Sequence, residues 1–327
     1  MSGLFLRPLR PEDLDPVSEI ESRISGRPRK GFLTKRFAAA AATPGAFLTC
    51  AAEDGGNVVG YGFARIQEGE FGVRGAVAVL DAIGVDPDAR RRGAGKALIA
   101  EIGRRMETKA IGTLRTQVDW ANQGMVGFFA SAGFLLSPCR ILERDASPLR
   151  EDAAEAISGS AAGKGTLRSG AGAGDRGSLS RDRVFIRSLK EEDLATVVRI
   201  DGKLTGLDRT AYYCGKFREM LTESGIRVSL VAEDDAIVAG FVMARVDYGE
   251  FGRVDRSAAL DTIGVHPASR GSGIGTALLS QLLLNLSTLQ VESVRIQVSP
   301  ENFDLLRFLH ARGFRPSQLL VLDKSLR

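Results

Sequence analysis

A turn of the form Arg-x-x-Gly-x-Gly occurs twice in this 327-residue chain, from Arg90 to Gly95 and from Arg270 to Gly275. Each copy follows an apolar, strand-like run and opens an amphipathic, helix-like one. Glycine lets the main chain approach a ligand closely. The opening amides of a helix lack an intrahelical acceptor and lie at the positive end of its dipole. A phosphate or diphosphate fits such a bend. Arg90, Arg91 and Arg92 add positive charge in the first copy, whereas Arg270 is followed by Gly271 and Ser272 in the second. A carboxylate precedes each turn. Asp81 and Asp261 stand in apolar strands, four residues before Val85 and Val265. Strand alternation puts Asp81, Ile83 and Val85 on one face. A carboxylate so placed can serve as a general base, or it can pair with an arginine or hydrogen-bond a neighbouring loop.

These turns belong to a longer repeat at an offset of 180 residues. Between 60–98 and 240–278, 19 of 39 positions are identical without a gap. Two copies at so long a period indicate a duplicated domain rather than a solenoid. The expected organisation is a first domain at 1–148, a linker at 149–182 and a second domain at 183–327. Within the linker, 19 of the 28 residues from 153 to 180 are Gly, Ala or Ser, too few apolar groups to offset ordering entropy.

Composition narrows the function classes. The net charge of +4 is mild, and no basic stretch is interleaved with stacking aromatics, so nucleic acid is not an expected partner. No run approaches the roughly 20 apolar residues of a membrane span, and the N-terminal residues lack a long apolar signal region. Cys50, Cys139 and Cys214 do not repeat at the 180 offset, which argues against a disulfide framework or a covalent cysteine intermediate. With His266 and His310 as its histidines, the chain is not expected to hold a metal. A reduced, cytoplasmic protein is the expectation.

The elements that must position the turns repeat as well. In the first half the pattern predicts a short strand at 5–9, a helix opened by Pro11-Glu12-Asp13 and a helix at 31–42. Strands follow at 47–53, 58–66 and 76–85, then a helix at 94–108, a strand at 114–118 and a helix running to the Gly133-Phe134 pair. The second half predicts a helix at 211–221, strands at 228–233, 237–246 and 258–265, a helix at 274–285 and a strand at 294–298. Hairpin turns are expected at Asp54-Gly55-Gly56-Asn57, at Asp234-Asp235 and at the two Gly-Glu-Phe-Gly repeats. The strand–helix–strand unit after each hairpin makes a right-handed parallel crossover, so each sheet is mixed.

Two familiar nucleotide motifs do not fit. Arg90 stands where a phosphate loop of the form Gly-x-x-x-x-Gly-Lys-[Ser/Thr] needs its first glycine, and Leu98 and Leu278 stand where Gly-x-Gly-x-x-Gly needs its third. The run Leu-Asp-x-Ile-Gly-Val-x-Pro followed by Arg-x-x-Gly-x-Gly-x-Ala-Leu instead resembles the acetyl-CoA signature of the GNAT superfamily of N-acetyltransferases. Asn122 with Phe128 to Phe134, and Asn302 with Phe308 to Phe314, resemble its following block. The resemblance implies two tandem α/β (α+β) domains, each a mixed twisted sheet of about six or seven strands flanked by helices and splayed at the fourth and fifth strands. It also implies a cofactor, acetyl-CoA or another acyl-CoA. Ile83, Gly84 and Val85 would meet its pantetheine arm; Arg90, Arg91, Arg92, Gly93, Ala94, Gly95 and Lys96 its diphosphate; and Asn122 its thiol end. In the second half these roles fall to Ile263, Gly264 and Val265, to Arg270, Gly271, Ser272, Gly273, Ile274, Gly275 and Thr276, and to Asn302.

The resemblance implies an N-acetyltransferase acting by direct attack of a primary amine in a ternary complex, with Asp81 and Asp261 as candidate bases. Glu70 and Glu250 are secondary candidates for orienting a cationic substrate, and His310 reads as a surface residue. Many family members carry a tyrosine that protonates the leaving thiolate where this chain has Phe129 and Leu309. That departure leaves room for one or both halves to be non-catalytic acyl-CoA-binding or assembly modules. The acceptor would be an amine-bearing small molecule, protein or peptide. The tandem arrangement is similar to that of mycothiol synthases, which adds a small thiol-sugar amine as a candidate acceptor. The halves are expected to dock as an internal pseudo-dimer.

Overall fold

Gly55 and Gly56, at φ 58° and 83°, close the turn between β2 (Phe47–Asp54) and β3 (Asn57–Glu68). Both central positions of this hairpin need left-handed backbone, the reason for two glycines. The second half builds the same turn between β9 (Leu230–Asp234) and β10 (Ile237–Asp247) with Asp235 and Ala236, at φ 50° and 62°. The structure is a computed structural model that describes residues 3–26, 29–68, 75–149, 184–220, 227–247 and 256–326. Residues 150–182 of the linker and both Gly-Glu-Phe-Gly turns, with Glu70 and Glu250, lie outside the described residues.

Around the first hairpin stand β1 (Phe5–Arg7), α1 (Leu14–Ser25), α2 (Lys30–Ala42), β4 (Ala76–Val85), α3 (Ala94–Glu107), β5 (Thr113–Asp119) and α4 (Gln123–Ser131). Their partners are β8 (Val184–Ser188), α5 (Leu194–Thr205), α6 (Thr210–Arg218), β11 (Ser257–Val265), α7 (Ile274–Thr288), β12 (Ser293–Val298) and α8 (Phe303–Ala311). The element order expected from the repeat is therefore present in both halves. Four further strands went unread in the sequence: β6 (Leu135–Leu136), β7 (Arg140–Asp145), β13 (Arg315–Pro316) and β14 (Leu319–Ser325).

Those late strands define the molecule. Two mixed sheets of seven strands run β1-β2-β3-β4-β5-β14-β6 and β13-β7-β12-β11-β10-β9-β8. Each half thus lends its last long strand to the other's sheet. β14 lies antiparallel to β5 from Thr113↔Ser325 to Asp119↔Leu319, and β7 lies antiparallel to β12 from Ser293↔Asp145 to Val298↔Arg140. The clasp is equivalent in both directions. Ser137 N donates to Val321 O as Ser317 N donates to Ile141 O. Arg115 Nε meets Asp323 at 2.7 Å, and Arg295 Nη2 meets Glu143 at 3.1 Å. Every one of these pairs maps onto the other at the 180 offset, the isologous pattern of a two-fold interface.

The cores follow the sheets. On one face of the first sheet, α3 buries Leu98, Ile102 and Met106 against Leu48, Ala64 and Leu80, with Leu322 of the lent strand among them. On the other face α1 and α2 bury Val17, Ile20 and Leu33 against Tyr61, Phe63 and Ala82. The second sheet repeats this, with Leu142 of β7 in the α7 core, and with Tyr213 of α6 packed with Phe241 of β10 and Val197 and Ile200 of α5. Burying one leucine is worth about 1.5–3 kcal/mol, so each half draws part of its core stability from the other's strand. Among the described residues no helix is long and apolar enough to cross a membrane.

Candidate active site

The split in each sheet arises where β4 leaves β5. These parallel strands pair only at Ala78↔Leu114 and Val79↔Arg115. In the second half pairing ends at Ala259↔Arg295. Beyond those points Ile83, Gly84 and Val85, with Ile263, Gly264 and Val265, lie on strands paired with β3 and β10 but not across the split. Their main chains can therefore bond an extended ligand arm. Gly84 and Gly264 have their own reason: an added Cβ would stand 2.6 Å from Tyr61 and 2.8 Å from Phe241, inside any tolerable contact.

At the open end each strand passes through a short 3₁₀ turn into the Arg-x-x-Gly-x-Gly bend. Gly93 and Gly273, both at φ 85°, are the N-caps of α3 and α7 and supply no side-chain cap. Elsewhere in the same chain, α4 and α8 are capped by Asn122 and Asn302, whose side chains accept from Met125 N at 3.1 Å and Leu305 N at 3.2 Å. Two helices are thus capped from within, and two begin with amides open to an outside anion. Both asparagines follow the strand on the far side of the split, β5 and β12, and their side-chain oxygens are engaged as caps. Gly95 is packed so closely that a Cβ would meet the Phe128 ring at 2.9 Å, whereas at Gly275 the Phe308 ring stands at 3.5 Å.

The positive charge of the two bends differs in origin. Arg90, Arg91, Arg92 and Lys96 are exposed in the first, with Arg92 3.5 Å from Asp54. Arg91 adopts φ 65°, and its counterpart Gly271 adopts φ 80°, so glycine relieves in the second copy a strain that arginine bears in the first. The second bend lacks Arg91, Arg92 and Lys96 but recruits Arg312, whose Nη2 donates to Thr276 Oγ1 at 2.7 Å. Sequence reading missed Arg312 because it follows the bend by more than 30 residues and faces Ala132 in the repeat.

Asp81 and Asp261 sit at the root of each split, but alternation misplaces them. β3 pairs Phe63↔Ala82 and then Ala64↔Leu80, leaving Asp81 as the extra residue of a β-bulge. β10 pairs Met243↔Thr262 and then Ala244↔Leu260, leaving Asp261 likewise. A bulge breaks the period of two. Ile83 and Val85 pack on the α3 face, while Asp81 turns to the α2 face, where Arg36 Nη2 stands at 2.9 Å and Arg65 Nε at 3.2 Å. The expected shared face is therefore corrected. Asp261 meets Lys216 Nζ at 3.3 Å and Arg245 Nε at 3.4 Å. Glu219 links the two groups, 3.2 Å from Arg65 and 3.5 Å from Lys216. The ionic chain therefore crosses between the halves.

Other candidates fall into place. Phe129 and Leu309 are buried core residues with no proton to give. His310 is exposed on α8. The three cysteines are free, and burial pushes the Cys50 thiol up to about 11, which leaves it un-ionised near neutrality.

A mixed sheet split between its fourth and fifth strands, with a glycine-led helix opening at the split and the whole unit built twice, defines a tandem α/β protein. The acetyltransferase (GNAT) family model matches residues 14–134 and 191–314, and the chain belongs to that family. It is 28% identical over 154 residues to the mycothiol acetyltransferase of Propionibacterium freudenreichii subsp. shermanii, a match covering 45% of this chain and 48% of that protein. The match thus spans about half the length of that curated relative. A tandem GNAT protein from the clavulanic acid biosynthesis pathway superposes with a TM-score of 0.64 at 18% identity, covering 99% of this chain and 98% of that one. The GNAT region of a fungal multi-domain GH3 β-N-acetylglucosaminidase gives 0.65 at 14% identity, covering 99% of this chain and 38% of that one. At these identities the structural likeness is one of fold.

Proposed function

We propose that this chain is an acetyl-CoA-dependent N-acetyltransferase in which a primary amine attacks the thioester directly in a ternary complex. The observation that carries the reading is the twice-built split strand pair with an uncapped, glycine-led helix at its mouth. When bound, acetyl-CoA supplies an acyl carbon already activated as a thioester. Main-chain groups of Ile83 and Val85, and of Ile263 and Val265, would receive its pantetheine arm. The amides from Arg91 to Lys96, and from Gly271 to Thr276, would receive its diphosphate. The residues fit the group: the bends are glycine-led, exposed and cationic, with Arg312 completing the second.

We assign the halves different parts. In the first, Asp81 has no exposed side-chain surface between Arg36 and Arg65, and an amine would have to displace one of them. We propose the first half as the binding and assembly module and the second as the site of transfer. For Asp81 and Asp261 we propose a role in holding the halves together, in place of proton abstraction. The similarity to a mycothiol acetyltransferase supports a small thiol-sugar amine as acceptor.

The test is thiol release from acetyl-CoA against a panel of small amines, amino sugars included, with Gly93→Val and Gly273→Val as half-specific variants. Loss of turnover in G273V with retention in G93V is the expected result. A wild-type protein that binds acetyl-CoA and acylates no amine would overturn the enzymatic reading, and loss confined to G93V would reverse the assignment of halves.

A further inference from the structure

We infer that Thr262, Tyr213 and Asp201 form a hydroxyl relay that carries the proton away from the attacking amine in the second half; this rests on the acetyltransferase reading above. Tyr213 of α6 is fully buried and its Oη donates to Asp201 Oδ1 of α5 at 2.8 Å. Thr262 Oγ1 stands 3.4 Å from the same Oη. The one phenolic hydrogen is committed to Asp201, so the Thr262 hydroxyl must be the donor in the second contact. Its lone pairs are then free on the side away from Tyr213. Thr262 is the residue after the bulge at Asp261, past the last β11–β12 pair, and it is half-buried where its companions are closed off. A hydroxyl with outward lone pairs at the split accepts an N–H from an amine and orients the nitrogen's own lone pair toward the acyl carbon.

The step balances without another reactant. The nitrogen lone pair forms the C–N bond, and the C–S bond breaks with its electron pair leaving on the CoA thiolate. The amine's surplus proton passes to Thr262 Oγ1, the Thr262 proton to Tyr213 Oη, and the Tyr213 proton to Asp201. The carboxylate that ends the chain is suited to it: burial holds Asp201 above the usual carboxylate range despite Arg209 Nη1 at 2.9 Å and the bond from Tyr213.

The first half supplies an internal contrast. Glu21 and Arg29 stand where Asp201 and Arg209 do, but the hydroxyl reaching Glu21 comes from Tyr61 of β3. Leu33 occupies the position of Tyr213, and Ala82 that of Thr262. The buried acid and its phenol are kept, and the link to the split is missing. A purely structural role for the acid–phenol pair would need no threonine. The strand aspartate is taken up by cations in both halves, Asp81 by Arg36 and Arg65 and Asp261 by Lys216 and Arg245, so the threonine is what sets the second half apart.

The experiment uses the full chain with acetyl-CoA and the best amine found in the panel. Thr262→Val and Tyr213→Phe should each lower kcat by about 100-fold, the usual worth of a proton-transfer group, with acetyl-CoA affinity by calorimetry and KM for acetyl-CoA unchanged. Thr262→Ser, which keeps the hydroxyl, should restore most of the rate even if valine perturbs packing. Wild-type kcat in folded T262V would overturn the relay and leave the acetyltransferase reading standing. Absence of turnover in the wild-type protein on every amine would overturn both.

Discussion

Asp81 is read from the sequence as a candidate base, and its setting in the fold is the ground on which we propose a structural role for it instead. It is an acid in an apolar strand beside a cofactor-binding bend, yet the bulge turns it into the ionic chain that runs through Arg65 and Glu219 to the other half. Asp81→Asn should therefore lower stability by about 3–5 kcal/mol, the usual result of removing one partner from a buried ion pair. Turnover per folded molecule should persist. Urea unfolding followed by thiol release on the folded fraction reads both quantities, and loss of turnover without loss of stability would return Asp81 to the role of base. Gly95 and Gly275 offer a second contrast at this scale. Gly95→Ala drives a Cβ to within 2.9 Å of Phe128, whereas Gly275→Ala meets Phe308 at an ordinary distance. The first substitution should weaken acetyl-CoA binding in its own half, and the second should leave both sites near wild type in calorimetry.

At the scale of elements, the two copies solve the same geometric problems with different residues. The hairpin that uses Gly55-Gly56 in the first half uses Asp235-Ala236 in the second, and alanine at φ 62° bears a strain that glycine would not. Ala236→Gly should raise stability by about 0.5–1 kcal/mol after allowing for the greater freedom of the unfolded chain, seen as a shift in the urea midpoint. The caps divide by purpose. Asn122→Ala removes an internal cap and should cost about 1 kcal/mol. Gly93 and Gly273 supply no side-chain cap, which suits the diphosphate acceptor proposed for those helices.

At the scale of the whole molecule, exchange of β7 and β14 makes the halves one folding unit. Proteolytic nicking between 150 and 183 should leave both fragments eluting together at the native size, and fragments that separate without denaturant would contradict the exchanged sheets. Acid should loosen the whole. Burial by itself raises the carboxyls of Asp13, Asp193 and Glu143. Hydrogen bonds from Arg7, Arg187, and Arg295 with Ser317 outweigh it and hold all three below their usual values. Groups depressed in the folded state stabilise it above their unfolded values and lose that contribution as pH falls toward the folded ones. Unfolding free energy should therefore decline from about pH 4 downward, and a flat profile through that range would remove these pairs from the account.

Much of this protein is settled by local order in the chain. The 180-residue repeat, the hairpins, the glycine-led helices and the family resemblance all rest on short-range patterns, because turns, caps and helix starts are decided by residues within a few positions of one another. The side of the strand on which Asp81 and Asp261 fall was not local, since a bulge depends on how two strands register. Nor was the charge at the second bend, which Arg312 brings from another helix. The exchange of β7 and β14 lay furthest out of reach: a strand's hydrogen-bonding edge is satisfied equally well by a partner from either half, and only the packed molecule determines which half provides it.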